Sequence, residues 1–303
     1  ASVINDAPLT RGSYRPNNYE NNFLGPITLR YALKESRNVP AVRLYDLVGS
    51  DKVLEFASKF GFQTQNFPTN DLTIALGSQD VQPLELATGY SSIANGGFKV
   101  NPWFIEKVTS QLDGTLYQSD PYIVCENCKT ADSTAKIAPR IMDQKVAYIL
   151  NSMLESVITE GSGNRVYREL RRDDLRGKTG TTNGPQELWF SGFNKNIATT
   201  VFVGLDQPEP LGEREQGATV AVPIWIDFMR EALNDQPEEI MSRPDGIVDL
   251  LIDKTTGHPA TPGDPNAVFE YFRAENAPAP EAKPTPGLGI KEESSTISTE
   301  TIF

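Results

Sequence analysis

Three strand-like runs follow one another at hairpin spacing, and the first is Arg176-Gly177-Lys178-Thr179-Gly180-Thr181-Thr182. The second covers residues 188–193 and the third covers residues 197–205. Residues 220–233 then show the apolar periodicity of a helix that can lie across a sheet. Runs at this spacing predict an antiparallel sheet closed by a terminal helix.

Helical patterns dominate the chain before these runs. The predicted helices cover residues 27–36, 41–48, 53–60, 83–95 and 142–158. Pro40 begins the second helix, and Gly49 and Gly61 end the second and the third. Residues 108–117 alternate around Asp113-Gly114, which predicts a hairpin. We therefore expect an α+β fold, in which an antiparallel sheet packs with a terminal helix beside a helical subdomain.

Composition narrows the classes of function. The 303 residues include 28 Lys and Arg against 40 Asp and Glu, a net charge of −12, whereas a nucleic-acid binder needs a basic face. His258 is the single histidine, which argues against a Ser-His-Asp triad and excludes His-rich metal sites. The two cysteines, Cys125 and Cys128, have no second pair to complete a zinc site. We expect no metal or cofactor, and we expect Lys, Ser, Tyr or carboxylates to transfer protons.

The two ends of the chain differ in character. No run approaches the roughly 18 apolar residues that span a bilayer, and residues 1–6 lack the basic and then apolar pattern of a signal sequence. Those opening residues are typical of the middle of a strand or loop, so we expect the chain to be a fragment of a longer protein. Residues 277–303 carry four prolines and then a run of Ser, Thr and Glu, which predicts a flexible acidic tail.

The first strand-like run carries groups that suit an anionic ligand. A Lys-Thr-Gly triplet facing a cleft places the Lys178 ammonium beside the hydroxyls of Thr179 and Thr181. These groups suit a terminal carboxylate, because charge-assisted hydrogen bonds are about twice as strong as neutral ones. Gly180 leaves room for a ligand backbone against the strand. The alternative is that Lys178 is a solvated lysine at a sheet edge.

A second polar motif, Ser36-Arg37-Asn38, falls in a short break between two predicted helices. Asn38 offers an acceptor and a donor to a peptide amide. Ser36 can relay a proton between a lysine amine and a reacting group. The alternative is that these residues cap the helix that begins at Pro40, which is a common use of Ser and Asn.

Together the two motifs resemble those of the penicillin-binding proteins, the serine acyltransferases that cross-link peptidoglycan. Their signature is Ser-x-x-Lys, then Ser-x-Asn, then Lys-Thr-Gly. Further segments resemble the class A, bifunctional branch: Gly25-Pro26-Ile27-Thr28-Leu29-Arg30-Tyr31-Ala32-Leu33, Ala75-Leu76-Gly77-Ser78, Pro83-Leu84-Glu85-Leu86-Ala87, Ala94-Asn95-Gly96-Gly97, Ile158-Thr159-Glu160-Gly161-Ser162-Gly163, Trp189-Phe190 and Asp245-Gly246-Ile247-Val248. The resemblance covers about residues 1–272. It implies a penicillin-binding or β-lactamase-like transpeptidase fold, with a transpeptidase domain over residues 1–240 and a C-terminal extension over residues 241–276.

The chain departs from the family at the nucleophile. No Ser-x-x-Lys precedes Ser36, and the later Ser133-Thr134-Ala135-Lys136 falls between the second and third motifs. A working motif needs a helix that puts the lysine one turn from the serine, whereas this one lies in a polar loop shortly before Pro139. We expect Ser133 to cap a turn, and the nucleophile to lie in an upstream segment outside this chain.

The resemblance assigns roles to the remaining motifs. In the family, the serine attacks the penultimate D-Ala carbonyl of a stem peptide, and an amine of a neighbouring stem then resolves the acyl-enzyme. Ser36 and Lys178 would share the proton relay to the leaving nitrogen, and Asn38 would hold the substrate amide. Thr179 and Thr181 would bind the carboxylate, and the Thr181 N–H would supply half of the oxyanion hole.

The resemblance also implies partners and a location. β-Lactams would acylate the same site, and a glycosyltransferase domain and a membrane anchor would lie upstream, at the periplasmic face of the inner membrane. Two alternatives stay open: a D,D-carboxypeptidase or β-lactamase on the same fold, and a catalytically silent module that binds stem peptides. Cys125 and Cys128 could form a redox dithiol or a disulfide staple in a loop. The oxidising periplasm favours the staple.

Overall fold

The computed structural model describes residues 2–125 and 136–279. In chain order its elements are β1 (Val3–Asp6), β2 (Gly25–Thr28), α1 (Leu29–Lys34), α2 (Asn38–Val48), α3 (Ser50–Lys59), α4 (Pro83–Ala94), β3 (Lys107–Ser110), β4 (Gly114–Gln118), α5 (Gln144–Thr159), α6 (Asn164–Leu170), β5 (Arg176–Thr181), β6 (Glu187–Phe193), β7 (Ala198–Gly204), α7 (Val222–Ala232), β8 (Ile247–Asp253) and β9 (Ala267–Arg273). Ser133, Cys128 and residues 280–303 of the predicted tail lie outside the described residues. The mixed α and β fold is as expected.

The central sheet consists of β5, β6 and β7, in that order, with both pairs antiparallel. The predicted series of three strands is therefore confirmed. Lys178 pairs with Ser191, which pairs with Thr200, so these three residues share one face. Strand β5 lies at the edge of this sheet, so no strand pairs with the Lys-Thr-Gly triplet on its other side within the described residues.

Helix α7 covers one face of the sheet, as the apolar periodicity of residues 220–233 predicts. Trp225, Ile226 and Met229 are fully buried, together with Phe190 of β6. The Trp225 and Phe190 rings meet edge to face with their centroids 5.1 Å apart, a favoured aromatic geometry. The indole N–H of Trp225 also donates to the carbonyl of Thr199 at 3.1 Å. This core holds the strands that carry the triplet.

Helices α4 and α5 line the opposite face. Phe193 of β6 is buried there with Leu154 of α5 and Ala94 of α4. Helix α5 begins at Gln144, because the Asp143 side chain accepts hydrogen bonds from the backbone N–H groups of the first turn. This helix ends beside β5, and the loop that follows it reaches the triplet.

The start of the first helix differs from the prediction. Ile27 lies in β2 and pairs with Ile4 of β1, so the segment before Leu29 is a strand. The Thr28 hydroxyl accepts a hydrogen bond from the Tyr31 N–H at 3.1 Å, and this cap sets the helix start. Strands of four residues leave too short an apolar pattern for the sequence to separate them from a helix.

A C-terminal hairpin, β8 and β9, packs beside α1 and α5. The buried Glu270 carboxylate forms an ion pair with Arg30 of α1. Arg30 also donates to the Ser152 carbonyl at 2.6 Å and to the Ser152 hydroxyl at 2.9 Å. The hairpin lies within the predicted C-terminal extension, whose boundaries stay a prediction.

Two further expectations concern Cys125 and the length and polarity of the helices. Cys125 is disulfide-bonded, in agreement with the staple interpretation. Within residues 2–125 and 136–279, the helices are too short or too polar for any of them to cross a membrane.

Candidate active site

The two predicted motifs meet at one hydrogen bond. The Lys178 ammonium donates to the Ser36 hydroxyl oxygen at 2.7 Å, although the two residues are 142 positions apart. Lys178 also donates to the carbonyl of Thr179 at 3.1 Å. These contacts hold the Lys178 side chain against the protein. The alternative of a solvated lysine at a sheet edge is therefore not what the structure shows.

Burial changes the acidity of this lysine. Removal of the ammonium from water lowers the pKa of Lys178 from its ordinary 10.5 to about 8. An amine with a pKa near 8 exchanges protons more readily at neutral pH than an ordinary lysine does. The Ser36–Lys178 pair can therefore move a proton to or from a group beside the Ser36 hydroxyl.

Ser36 has an unusual backbone conformation. Its φ of 55° lies in the left-handed region, where glycine is the usual residue. The N–H of Ser36 donates to the carbonyl of Leu33, and the N–H of Arg37 donates to the carbonyl of Ala32. These two bonds form a Schellman motif that ends α1. The turn accepts the strain of an L-residue at this position, which costs roughly 1–2 kcal/mol.

Asn38 is the first residue of α2, so this helix begins two residues before the predicted start at Pro40. Arg37 occupies the cap position. The Asn38 side-chain amide donates to the backbone carbonyl of Asn17 at 3.0 Å. The alternative that Ser36 and Asn38 cap α2 is therefore wrong. The role of Asn38 towards a substrate stays a prediction.

The two threonines of the triplet region lie on the other face of β5 from Lys178 and Gly180, because successive side chains of a strand alternate. The Thr179 hydroxyl pairs with the Ser162 hydroxyl at 3.1 Å. The Thr181 hydroxyl accepts from the backbone N–H of residue 217 at 3.0 Å, which leaves its own proton available to an anion. The Lys178 ammonium and the two threonine hydroxyls therefore bond to different groups and do not bond to each other.

Gly180 and Gly217 make close backbone packing possible at this end of the sheet. A Cβ on Gly180 would lie 3.0 Å from the Cβ of Trp189. A Cβ on the buried Gly217 would collide with the Trp189 carbonyl oxygen and would lie 2.5 Å from the Gly180 carbonyl oxygen. Gly217 therefore brings the start of the turn before α7 against the strand and holds Thr181. Sequence reasoning missed it, because the contact is set by tertiary packing.

We expect Gly217→Ala to lower the free energy of unfolding by about 1–3 kcal/mol, since the new methyl group meets backbone atoms that cannot rotate away. Denaturant unfolding of the full-length protein measures this change. Gly89→Ala is the matched control, because its Cβ would meet the flexible ring of Phe62 at 3.3 Å. A Gly217→Ala protein as stable as the wild type would contradict the packing argument.

A separate groove lies away from this site. It has a volume of about 620 Å³ and lies between α1, α5 and the β8–β9 hairpin, where Tyr31, Lys34 and Phe269 help to line it. Ser36, Asn38 and Lys178 are not among its lining residues. We therefore assign the candidate active site by its chemistry and geometry, and not by the size of a cavity.

Comparison with known protein families agrees with this geometry. A family model described as "Penicillin binding protein transpeptidase domain" matches residues 1–230. The chain belongs to the penicillin-binding protein transpeptidase family. The resemblance that Ser36, Asn38 and the Lys178 triplet indicate is thereby confirmed at the level of the family.

Curated relatives of this penicillin-binding protein chain carry the name penicillin-binding protein 1A. The protein from Pseudomonas aeruginosa is 42% identical over 319 residues, an alignment that covers 92% of this chain and 39% of the relative. The protein from Escherichia coli is 30% identical and is covered to 41%, with 93% of this chain aligned. The chain therefore spans about two fifths of the length of these relatives.

Solved structures show the same fold. The crystal structure of penicillin-binding protein 1A from Haemophilus influenzae superposes with a TM-score of 0.83 at 33% identity, over 92% of this chain and 45% of that one. PonA1 from Mycobacterium tuberculosis gives a TM-score of 0.64 at 22% identity, over 86% of this chain and 68% of that one. The second likeness concerns the fold alone.

Proposed function

We propose that this chain is the C-terminal part of a D,D-transpeptidase that cross-links peptidoglycan stem peptides within a bifunctional glycosyltransferase and transpeptidase. The observation that carries the proposal is the hydrogen bond from Lys178 to Ser36, which joins the second and third motifs of the family at a lysine of lowered pKa. The family match over residues 1–230 and the relatives named penicillin-binding protein 1A support it.

In the proposed mechanism, the serine of an upstream Ser-x-x-Lys motif passes its proton to the lysine of that motif and attacks the penultimate D-Ala carbonyl of a stem peptide. The Ser36 hydroxyl gives its proton to the leaving nitrogen and receives one from the Lys178 ammonium, so the C–N bond breaks and neutral D-Ala amine leaves. An amine of a second stem then attacks the ester and gives a proton through Ser36 back to Lys178. The serine oxygen leaves with the proton held by the lysine of its own motif, so the cross-link forms and both lysines return to their starting states.

The other residues of the site bind the acyl donor in this proposal. The hydroxyls of Thr179 and Thr181 bind the terminal carboxylate, while Gly180 leaves the strand open to the peptide backbone. Asn38 holds the substrate amide. The Thr181 N–H gives one of two oxyanion-hole donors, a contribution typically worth about 2.7–4 kcal/mol of the barrier.

The proposal also names partners and a location. β-Lactams present a carbonyl in place of the D-Ala amide and acylate the same serine. An upstream segment supplies the nucleophile, the glycosyltransferase domain and an anchor at the periplasmic face of the inner membrane. A D,D-carboxypeptidase or β-lactamase would differ in rapid hydrolysis of the acyl-enzyme, and a silent stem-peptide-binding module would form no acyl-enzyme.

The test is the intact mass of the full-length protein before and after incubation with penicillin, followed by mapping of the modified peptide. We expect one added drug, on a peptide outside residues 1–303. An adduct on Ser133 would overturn the assignment of the nucleophile, and the absence of an adduct would favour the silent module. Loss of the adduct within seconds would favour the hydrolytic enzymes.

A further inference from the structure

The middle residue of Ser36-Arg37-Asn38 is buried and fully engaged. The Arg37 guanidinium donates to one carboxylate oxygen of Asp6 twice, from Nε at 3.0 Å and from Nη2 at 2.7 Å. It also donates to Glu20 at 2.8 Å and to the Asn22 carbonyl at 2.7 Å. Arg37 is 4% exposed at its side chain and Asp6 is 0% exposed. An ion pair this deep breaks only at a large cost.

The same carboxylate organises the loop before β2. The other oxygen of Asp6 accepts from the Asn18 side chain at 2.7 Å, and the Leu24 N–H donates to Asp6 at 3.2 Å. Asn18 in turn accepts from the N–H of Val39 at 3.1 Å. The loop and the first turn of α2 therefore form one buried hydrogen-bond network around Arg37.

This network touches the candidate site at two points. The loop provides the Asn17 carbonyl that accepts from the Asn38 amide. It also carries Tyr19, whose hydroxyl accepts from the Gln216 side chain at 2.8 Å, next to Gly217 on the opposite side of the site. The loop thus links the wall that carries Ser36 and Asn38 with the wall that carries Thr181.

We propose that Arg37 is a positioning residue, which holds Ser36 and Asn38 in their reactive arrangement through its ion pair with Asp6 and its bonds to the loop of residues 17–24. A left-handed L-residue persists only where the surroundings enforce it, and Arg37 follows Ser36 directly. The Arg37 N–H closes the Schellman turn while its side chain anchors the turn in the core. This inference rests on the proposed function for its catalytic consequence.

The test is Arg37→Lys in the full-length protein. Lysine keeps the charge but loses the planar fork of donors that reaches Asp6, Glu20 and Asn22 together. We expect the rate constant of acylation by penicillin from the bound state to fall at least tenfold, with little change in the dissociation constant of the non-covalent complex. Amide hydrogen exchange should speed up in residues 17–24 and 36–39.

Arg172→Lys is the matched control. Arg172 also donates from Nε and Nη2 to a fully buried carboxylate, at 2.9 and 2.8 Å to the two oxygens of Asp174, outside the loop and the Ser36 turn. We expect it to lower the melting temperature while leaving acylation by the folded protein unchanged. An equal loss of acylation in the two variants would show that Arg37 acts through general stability, and would overturn the proposal.

A milder variant covers the case in which Arg37→Lys fails to fold. Glu20 is half exposed and accepts one bond from Arg37, so Glu20→Gln should leave folding intact and still lower the acylation rate constant at least twofold. Unchanged exchange in residues 17–24 and unchanged acylation in this variant would overturn the proposal. A wild-type protein that penicillin never acylates would refute the proposed function. In that case amide hydrogen exchange in residues 17–24 would still test whether Arg37 holds the loop.

Discussion

Replacement of Lys178 by alanine in the full-length protein is expected to lower the second-order rate constant of acylation by penicillin about 100-fold, the scale of one lost proton-transfer group. The reason is the 2.7 Å hydrogen bond to Ser36, which is the path of the proton to the leaving nitrogen in the proposed mechanism. Stopped-flow or gel-based labelling with a fluorescent penicillin measures the rate constant.

The control for this prediction is another lysine of the same sheet. Lys195 lies in the turn between β6 and β7 and bonds to Glu239 at 2.8 Å, at the far end from the site. We expect Lys195→Ala to be acylated at the wild-type rate. Retention of more than a tenth of the wild-type rate in Lys178→Ala would contradict the proton relay.

The pH dependence gives a second readout of the same lysine. Burial disfavours the ammonium and lowers the pKa of Lys178 to about 8, so the proton donor is present below that pH and is lost as the pH rises through it. Acylation should therefore decline on the alkaline side with an apparent pKa near 8. In Lys178→Arg this decline should disappear, because arginine keeps its proton throughout that range.

The parts of the fold that the sequence predicted have long and regular patterns. The strands β5 to β7 are six or seven residues long and follow one another at hairpin spacing, and the long helix α5 repeats its apolar positions over sixteen residues. The pairs β1–β2 and β8–β9 were missed. The first has strands of only four residues, and the second joins strands that residues 254–266 separate, too far apart for a short hairpin signal.

The candidate site shows the same division. Ser36, Asn38 and the Lys178 triplet could be found in the sequence because their residue types carry recognisable chemistry. Arg37 and Gly217 could not be assigned a role, since one acts through Asp6 and the other through the absence of a side chain beside two carbonyl groups. Such roles depend on which backbone segments meet in the folded chain, and the local sequence pattern does not predict those contacts.

The second large effect is expected at Ser36, where the hydroxyl serves activity and the backbone conformation costs stability. Ser36→Gly removes the hydroxyl that bonds to Lys178, so acylation should fall about 100-fold. The same change places glycine at a φ of 55°, a conformation that an L-residue adopts only at a cost of roughly 1–2 kcal/mol. Glycine also makes the unfolded chain more flexible, which reduces the gain in the free energy of unfolding by about 0.4–1 kcal/mol.

Ser36→Ala separates the loss of the hydroxyl from the relief of backbone strain. It removes the same hydroxyl but keeps an L-residue in the left-handed conformation. Both variants should lose acylation to the same extent, while denaturant unfolding should find Ser36→Gly more stable than Ser36→Ala by about 0.5–1 kcal/mol. Equal or reversed stabilities would mean that the turn is not strained in solution. Acylation at the wild-type rate in both variants would remove Ser36 from the relay. A glycine variant that is more stable than the alanine variant at the same low rate would show a residue kept for its chemistry at the expense of its conformation.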